Sequence, residues 1–242
     1  MEKKITRIRK EFDDGGRSPA KKYQDLFVGS RRMPDLMKYE LMQLLSCVPG
    51  AAGLYLRSKI YPLLLGGCGR NVSFGRGIVF RHPARVRIGD NTIVDDMCLI
   101  DAKGEDNEGI SIGKNVFIGR NSILSCKNGS IFIEDGVNIG FNCEVFSSSR
   151  VRLGKNTLLA AYTYLIGGSH EFSDPSLPVV EQKEVSSGLE IGENVWLGAG
   201  VKVLDGADIG SDSVVGAGAV VSESLPAGVI AVGIPAKVIR KR

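Results

Sequence analysis

The segment Ile191-Gly192-Glu193-Asn194-Val195-Trp196-Leu197-Gly198-Ala199-Gly200-Val201-Lys202-Val203 carries the pattern that decides the fold. An aliphatic residue opens it, a polar turn with glycine follows, and further aliphatics stand six and twelve positions on, at Leu197 and Val203. The pattern opens again at Ile88, Ile112, Ile133, Leu153 and Ile209. Its later positions are Val94 and Ile100, Ile118 and Leu124, Ile139 and Val145, Leu159 and Leu165, and Val215 and Val221. A six-residue period fits neither a helical stripe near 3.6 nor a lone strand alternating at 2, so the repeat is a supersecondary unit. Three short strands per eighteen residues make one turn of a three-sided solenoid. The fifth residue of each hexad is small or β-branched: Thr92, Cys98, Val116, Ser122, Val137, Cys143, Thr157, Thr163, Val195, Val201, Ser213 and Ala219. First and fifth positions lie four apart at strand period 2, so both point into a narrow prism, while Gly, Asn and Asp between them suit left-handed corners. The expected fold is an all-β solenoid, a parallel β-helix regular from about Val72 to Val221 and occupying residues 68–223.

Composition agrees with a chain that buries a large core: 242 residues, 43% hydrophobic, with 31 Gly against 9 Pro. The five cysteines (Cys47, Cys68, Cys98, Cys126, Cys143) form no CxxC pair, and Cys98 and Cys143 occupy the inward small slot. They read as reduced core packing rather than disulfide or metal chemistry. A net charge of +4 without interleaved aromatics argues against a nucleic-acid partner. No signal peptide and no apolar run of about twenty residues is present, so a cytoplasmic location is expected.

The N-terminal third differs in kind. Residues 1–33 form a basic stretch, with ten Lys or Arg against five acids in the first 32, expected to be a mobile arm. Residues 34–67 carry apolar residues at helical spacing (Leu41, Leu44, Leu45, Val48; Leu56, Ile60, Leu63, Leu64), divided by Pro49-Gly50 and ended by Gly66-Gly67. One reading makes them a cap over the exposed end of the solenoid. The other rests them, with the arm, on an anionic membrane as a peripheral contact.

Insertions interrupt the repeat at its corners, where loops carry function. The openings advance by 24, 21, 20, 38 and 18 residues, placing a long loop over 166–190 and a shorter one over 101–109. His170 stands at the mouth of the long loop. Alone, such a histidine is either solvated surface or a general base. His82 takes a structural reading, and the chain's two histidines cannot make a three-histidine zinc site, so no metal is expected.

The hexads, the His170 loop and the segments Ile191–Gly200, Val214–Val221 and Gly233-Ile234-Pro235-Ala236-Lys237-Val238-Ile239-Arg240 resemble the hexapeptide-repeat acyltransferases of the galactoside and maltose acetyltransferase type. Arg57-Ser58-Lys59-Ile60-Tyr61 and Gly69-Arg70-Asn71-Val72 resemble the branch that acts in surface-polysaccharide biosynthesis. The resemblance implies a left-handed prism and makes His170, seventeen residues beyond Leu153, the general base for an acceptor hydroxyl. It assigns the oxyanion to the backbone N–H of Ala199. Acetyl-CoA is assigned to a groove between two prisms lined by Trp196, Gly198, Ala217 and Gly218, with Lys237 and Arg240 of a C-terminal tail (224–242) on its phosphates. Glu223 stands where many relatives have lysine, and Gly140 where an acceptor-binding asparagine is usual, with Asn142 as the substitute. The implied protein is a homotrimeric O-acetyltransferase acting on a sugar, or on a lipid-linked or nucleotide-linked glycan precursor. N-acetylation of an amino-sugar nucleotide, or a non-catalytic solenoid scaffold, are the alternatives.

Overall fold

In the computed structural model, which describes residues 18–242, all the aliphatic positions of the repeat from Ile88 to Val221 point inward, each with exposure of 4% or less. The small fifth positions are buried too. Three sheets of six, nine and seven strands, parallel except for the last strand of the second, form the faces of the prism. In the fourth coil, Arg150–Leu153 lies on the first face, Leu158–Leu159 on the second and Tyr164–Gly167 on the third. Coils stack in register, with Leu159 on Ile139 below and Leu197 above. The interior is therefore columns of like aliphatic side chains.

The small slots have a second use. Thr92 donates to the Gly113 carbonyl (2.9 Å), Ser122 to Gly140 (3.0 Å) and Thr157 to Gly192 (2.8 Å), satisfying corner carbonyls of the next coil. Cys98 and Cys143 take the same place against Gly119 (3.3 Å) and Ala160 (3.2 Å). Burial pushes the Cys98 thiol up to about 12, and all five cysteines are free thiols. Cys98, Cys126 and Cys143 pack in the core, whereas Cys47, also expected there, is exposed on the surface beyond the helix Met33–Ser46.

At the two edges that flank the second face the corners turn on left-handed residues, a backbone that asparagine and glycine adopt readily. Along the edge joining first and second faces, Asn71, Asn91, Asn115, Asn156 and Asn194 have φ between 55° and 57°. Their amides stack, Asn71 on Asn91 and Asn91 on Asn115, each at 3.3 Å.

The prism extends one coil beyond the aliphatic repeat at each end. Cys68, Phe74 and Phe80 stand over Ile88, Val94 and Ile100. Leu225 and Ala231 continue the columns past Ile209 and Val215. Residues 224–242 are thus no separate tail: Val229–Val232 joins the second sheet, and Lys237–Lys241 turns back antiparallel to close it. Pairing follows because Leu225, Val229 and Ala231 have apolar slots to fill.

Of the expected arm, residues 1–17 lie outside the described residues. Residues 18–33 depart from that expectation, since helix α1 (Pro19–Tyr23) and the turn Gln24–Val28 fold onto the first coil. Val28 is buried, Tyr23 meets Tyr39 edge-on, and the Arg81 guanidinium lies 4.6 Å over the Phe27 ring. These apolar and aromatic side chains, masked in the sequence by surrounding charge, give the segment a docking face. His82 is buried beside it, Nδ1 3.2 Å from Asp101 Oδ1 and Nε2 3.3 Å from the Asp25 carbonyl, a structural histidine.

Helices α2 (Met33–Ser46) and α3 (Gly50–Ile60) cover the first coil. Tyr61 is fully buried on Phe74 and Phe80 and donates to the Met42 carbonyl at 3.0 Å. Arg57, 2% exposed, joins all three parts: it donates to Leu45 (3.1 Å) and Val48 (2.8 Å) at the end of α2, and to Phe74 (3.0 Å) in the solenoid. Among the described residues no helix is long and apolar enough to cross a membrane. Arg57→Met, which keeps the stem but strands three buried carbonyls, is expected to cost about 3 kcal/mol. Denaturant titration checks it: a shift below 1 kcal/mol would remove Arg57 as the clasp between cap and prism.

Candidate active site

His170 is exposed on an ordered hairpin. The third face delivers the chain through Tyr164–Gly167, and Ser169–His170 then pairs antiparallel with Glu184–Val185. Gln182, 7% exposed, holds the loop inside this ladder, its amide donating to the carbonyls of Asp174 (2.8 Å) and Leu177 (3.1 Å) and accepting from the Asp174 N–H (3.2 Å). The Ser176 hydroxyl and N–H hold the Asp174 carboxyl below the usual carboxylate range. The Asp205 carboxylate then accepts from Ser187 (2.8 Å) and Gly188 (2.9 Å), fixing where the chain re-enters the prism. His170 thus projects from a braced support at the edge between third and first faces. Its imidazole has no hydrogen-bond partner among the described residues.

The other edge of the third face, where it meets the second, gathers a different set. Successive coils place Asn142, Tyr162, Gly200 and Gly218 one above another, linked by Tyr162 N–H to Phe141 (3.0 Å), Gly200 N–H to Ala161 (3.0 Å) and Gly218 N–H to Ala199 (2.8 Å). Ala199 is the second residue of a tight turn closed by Val201 N–H to the Gly198 carbonyl (3.2 Å), with Gly200 at φ 70°. That is a type II turn, which leaves the Ala199 N–H pointing outward. It donates to nothing within the described residues. The Ala217 turn repeats the geometry, with Ala219 N–H on Gly216 at 3.2 Å and Gly218 at φ 70°. Ala199, Ala217 and Gly218 are exposed, and a Cβ at Gly218 would meet nothing within 4 Å. From Ala199 to Gly218 the edge is therefore a shallow track without side chains beyond a methyl group, which suits a thin pantetheine chain.

Gly198 has another reason to be glycine. It is buried, and a Cβ there would lie 2.6 Å from the Ala217 nitrogen, so coil stacking forbids any side chain. Trp196 is 50% exposed on the second face, in one lateral row with Val214, Ile230 and Arg240. Lys237 lies apart from Arg240, its ammonium 4.0 Å from Glu223, so the acid that departs from the resemblance partly neutralises it.

Residues 188–223 match the family described as bacterial transferase hexapeptide (six repeats), and residues 109–129 match the hexapeptide repeat of succinyl-transferase. The chain is 35% identical to the putative lipopolysaccharide biosynthesis O-acetyl transferase WbbJ of Escherichia coli, over 56% of this chain and 74% of that protein. It belongs to the hexapeptide-repeat transferase family. A probable acetyltransferase of Mycobacterium tuberculosis, Rv3034c, is 34% identical over 55% of this chain, which spans only 44% of that protein's length. Among solved structures, a mutant of AntD, an N-acyltransferase from Bacillus cereus in complex with dTDP and coenzyme A, aligns at TM-score 0.54 and 21% identity. It covers 81% of this chain and 91% of its own, a likeness of fold. The prism is thus the left-handed β-helix of the hexapeptide-repeat transferases.

Within this hexapeptide-repeat chain the sequence-derived residues fall on two edges. Ala199, Ala217, Gly218 and Asn142 share the edge between second and third faces, whereas His170 occupies the next edge, with the third sheet between them. Among the described residues no cluster of three or more His, Cys, Asp or Glu is placed to hold a metal ion. Sequence reading missed Glu184, which stands directly opposite His170 and so presents its carboxylate on the same side of the ladder. Pairing across a loop of this length leaves no periodic signal. Gln182→Ala is expected to leave the solenoid's melting temperature unchanged while speeding amide exchange at Asp174 at least tenfold, since that N–H loses its acceptor. Unchanged exchange would mean that the hairpin does not depend on Gln182.

Proposed function

We propose that this chain is an acetyl-CoA-dependent O-acetyltransferase acting on a sugar hydroxyl of a surface glycan or its lipid-linked or nucleotide-linked precursor. The observation that carries the reading is the braced, solvent-facing His170, whose ring nitrogens are engaged by no other group among the described residues. A sugar hydroxyl attacks a thioester poorly until its proton is removed, and an imidazole is suited to take that proton near neutral pH. The attacking oxygen forms the new ester bond to the acetyl carbon, the C–S bond breaks, and the proton is available to the departing thiolate. The outward N–H of Ala199 would stabilise the oxyanion that develops on the acyl carbonyl. Trp196, Ala217, Gly218, Lys237 and Arg240 would hold the coenzyme, and Asn142 the acceptor. The name of WbbJ supports oxygen as the acceptor atom and lipopolysaccharide as the product class.

We propose a cyclic homotrimer, because His170 and Ala199 of one chain occupy different edges and meet only if the His170 edge of one prism faces the Ala199 edge of the next. The hairpin carries Phe172, Leu177, Val179 and Val180 at 46–78% exposure, apolar side chains that a neighbouring prism would cover. The outer face of α2, with Met33, Met37, Leu41 and Leu44 exposed beside Arg32 and Lys38, supports peripheral contact with an anionic membrane carrying the acceptor.

His170→Ala is expected to retain acetyl-CoA binding and lose 10² to 10⁴ in kcat, roughly what a positioned general base contributes; near-wild-type turnover would exclude it. Ala199→Pro tests the oxyanion assignment. Proline is favoured at this turn position and removes only an unused N–H, so the fold is expected to survive while kcat falls roughly 10²- to 10³-fold. A folded, fully active proline variant would move the oxyanion elsewhere. Mild alkali applied to product labelled from acetyl-CoA decides the atom: release of the label is expected of an ester, and retention as an amide would contradict O-acetylation.

A further inference from the structure

On the edge that carries Ala199, the left-handed residue of successive coils is Gly77, Met97, Asn121, Asn142, Tyr162, Gly200 and Gly218. Glycine and asparagine take this backbone at little cost; a tyrosine at φ 62° does not. Nor does the fold gain from it. The side chain is 66% exposed, its ring stacks on no other ring, and its hydroxyl has no hydrogen-bond partner among the described residues. An exposed aromatic at a costly backbone position points to something the fold does not supply.

Its neighbours say what that is. The chain of corner hydrogen bonds puts Tyr162 one coil from the Ala199-Gly200 turn above and one coil from Phe141-Asn142 below, about 4.8 Å in each direction. Phe141 is 39% exposed, and the Arg120 guanidinium lies 4.6 Å over its ring. The sequence along the edge is therefore an unused N–H, an aromatic ring, an amide side chain, and a second aromatic ring stacked by a cation. A pyranose presents an apolar C–H face and a rim of hydroxyls. An aromatic ring meets the first, and an amide beside it meets the second.

Resting on the acetyltransferase reading above, we propose that Tyr162 is an acceptor-positioning residue. Its ring is the platform on which the apolar face of the acceptor pyranose stacks, with Asn142 engaging the ring hydroxyls and the attacking oxygen held beside the Ala199 N–H. The platform selects cyclic sugars over linear polyols, which offer no flat apolar face.

The test uses the full chain, acetyl-CoA, a panel of p-nitrophenyl hexopyranosides and N-acetylhexosaminides, and a linear hexitol. Tyr162→Asn installs the residue that the neighbouring corners use, so its melting temperature is expected to equal or exceed that of the unaltered chain. Loss of activity then cannot be ascribed to unfolding. The KM for the best pyranoside is expected to rise about tenfold, with the KM for acetyl-CoA and the acceptor-free hydrolysis of acetyl-CoA unchanged. Tyr162→Phe, which keeps the platform, is expected to stay within about twofold of the original, and the hexitol to be acetylated poorly by all three. An unchanged pyranoside KM in Tyr162→Asn, an equal loss in Tyr162→Phe, or preference for the hexitol would each overturn the inference while leaving the acetyltransferase reading intact. An unaltered chain that binds acetyl-CoA but acetylates no member of the panel would overturn the reading itself, and the inference with it.

Discussion

At the two edges that flank the second face, every coil of this prism turns on one residue with a left-handed backbone, and much of the structure depends on that constraint. It selects the asparagines that stack along one edge and the glycines at Gly200 and Gly218 on another. It also sets the turn in which the residue before that glycine has its N–H turned away from the coil. The track of free N–H groups and small side chains along Ala199 and Ala217 is thus a product of coil closure, not an addition to it. The turns at Ala199 and Ala217 carry no side chain larger than a methyl group, and the proposed coenzyme site uses that stretch of the edge.

The inward columns of aliphatic side chains provide the complementary requirement. Because every coil sits in register on the next, an insertion survives only where the chain leaves a corner and returns to the same column. The long loop meets that condition at Gly167 and Gly188, with Asp205 accepting hydrogen bonds from the returning backbone. Its own structure is local, a short ladder around the buried Gln182 amide. The loop is accordingly free to present His170 at the rim without disturbing the columns.

The prism was legible in the sequence because its signal is periodic: aliphatic residues six apart can serve no other geometry, and all of them are buried. The end coils were less legible because Cys68, Phe74 and Phe80 replace the aliphatics there, the aromatics serving as a landing surface for Tyr61. The docking of residues 18–33 was masked by charge, since Phe27 and Val28 are few among lysines and arginines. Within the candidate site, coil counting located the loop that carries His170, whereas Ala199 was singled out by the resemblance to the hexapeptide-repeat acyltransferases. Glu184 could be found by neither, as antiparallel pairing across an insertion has no period. Gly198 was given a ligand-facing reason in the sequence, whereas the structure gives it a packing reason, contact with the Ala217 backbone.

His170 lies on one edge and Ala199 on another, and the proposed reaction needs both at one site, which two copies of the chain would supply. Co-expression of chains carrying His170→Ala with chains carrying Ala199→Pro tests it directly. If each site takes its histidine from one chain and its oxyanion N–H from the next, random assembly leaves about one site in four with both groups intact, because two independent choices of one half each must coincide. Acetyl transfer by the mixed trimers is then expected to recover to about a quarter of the original rate, although neither variant alone is active. Mixed trimers as inactive as their parents would contradict the shared site and return both groups to a single chain.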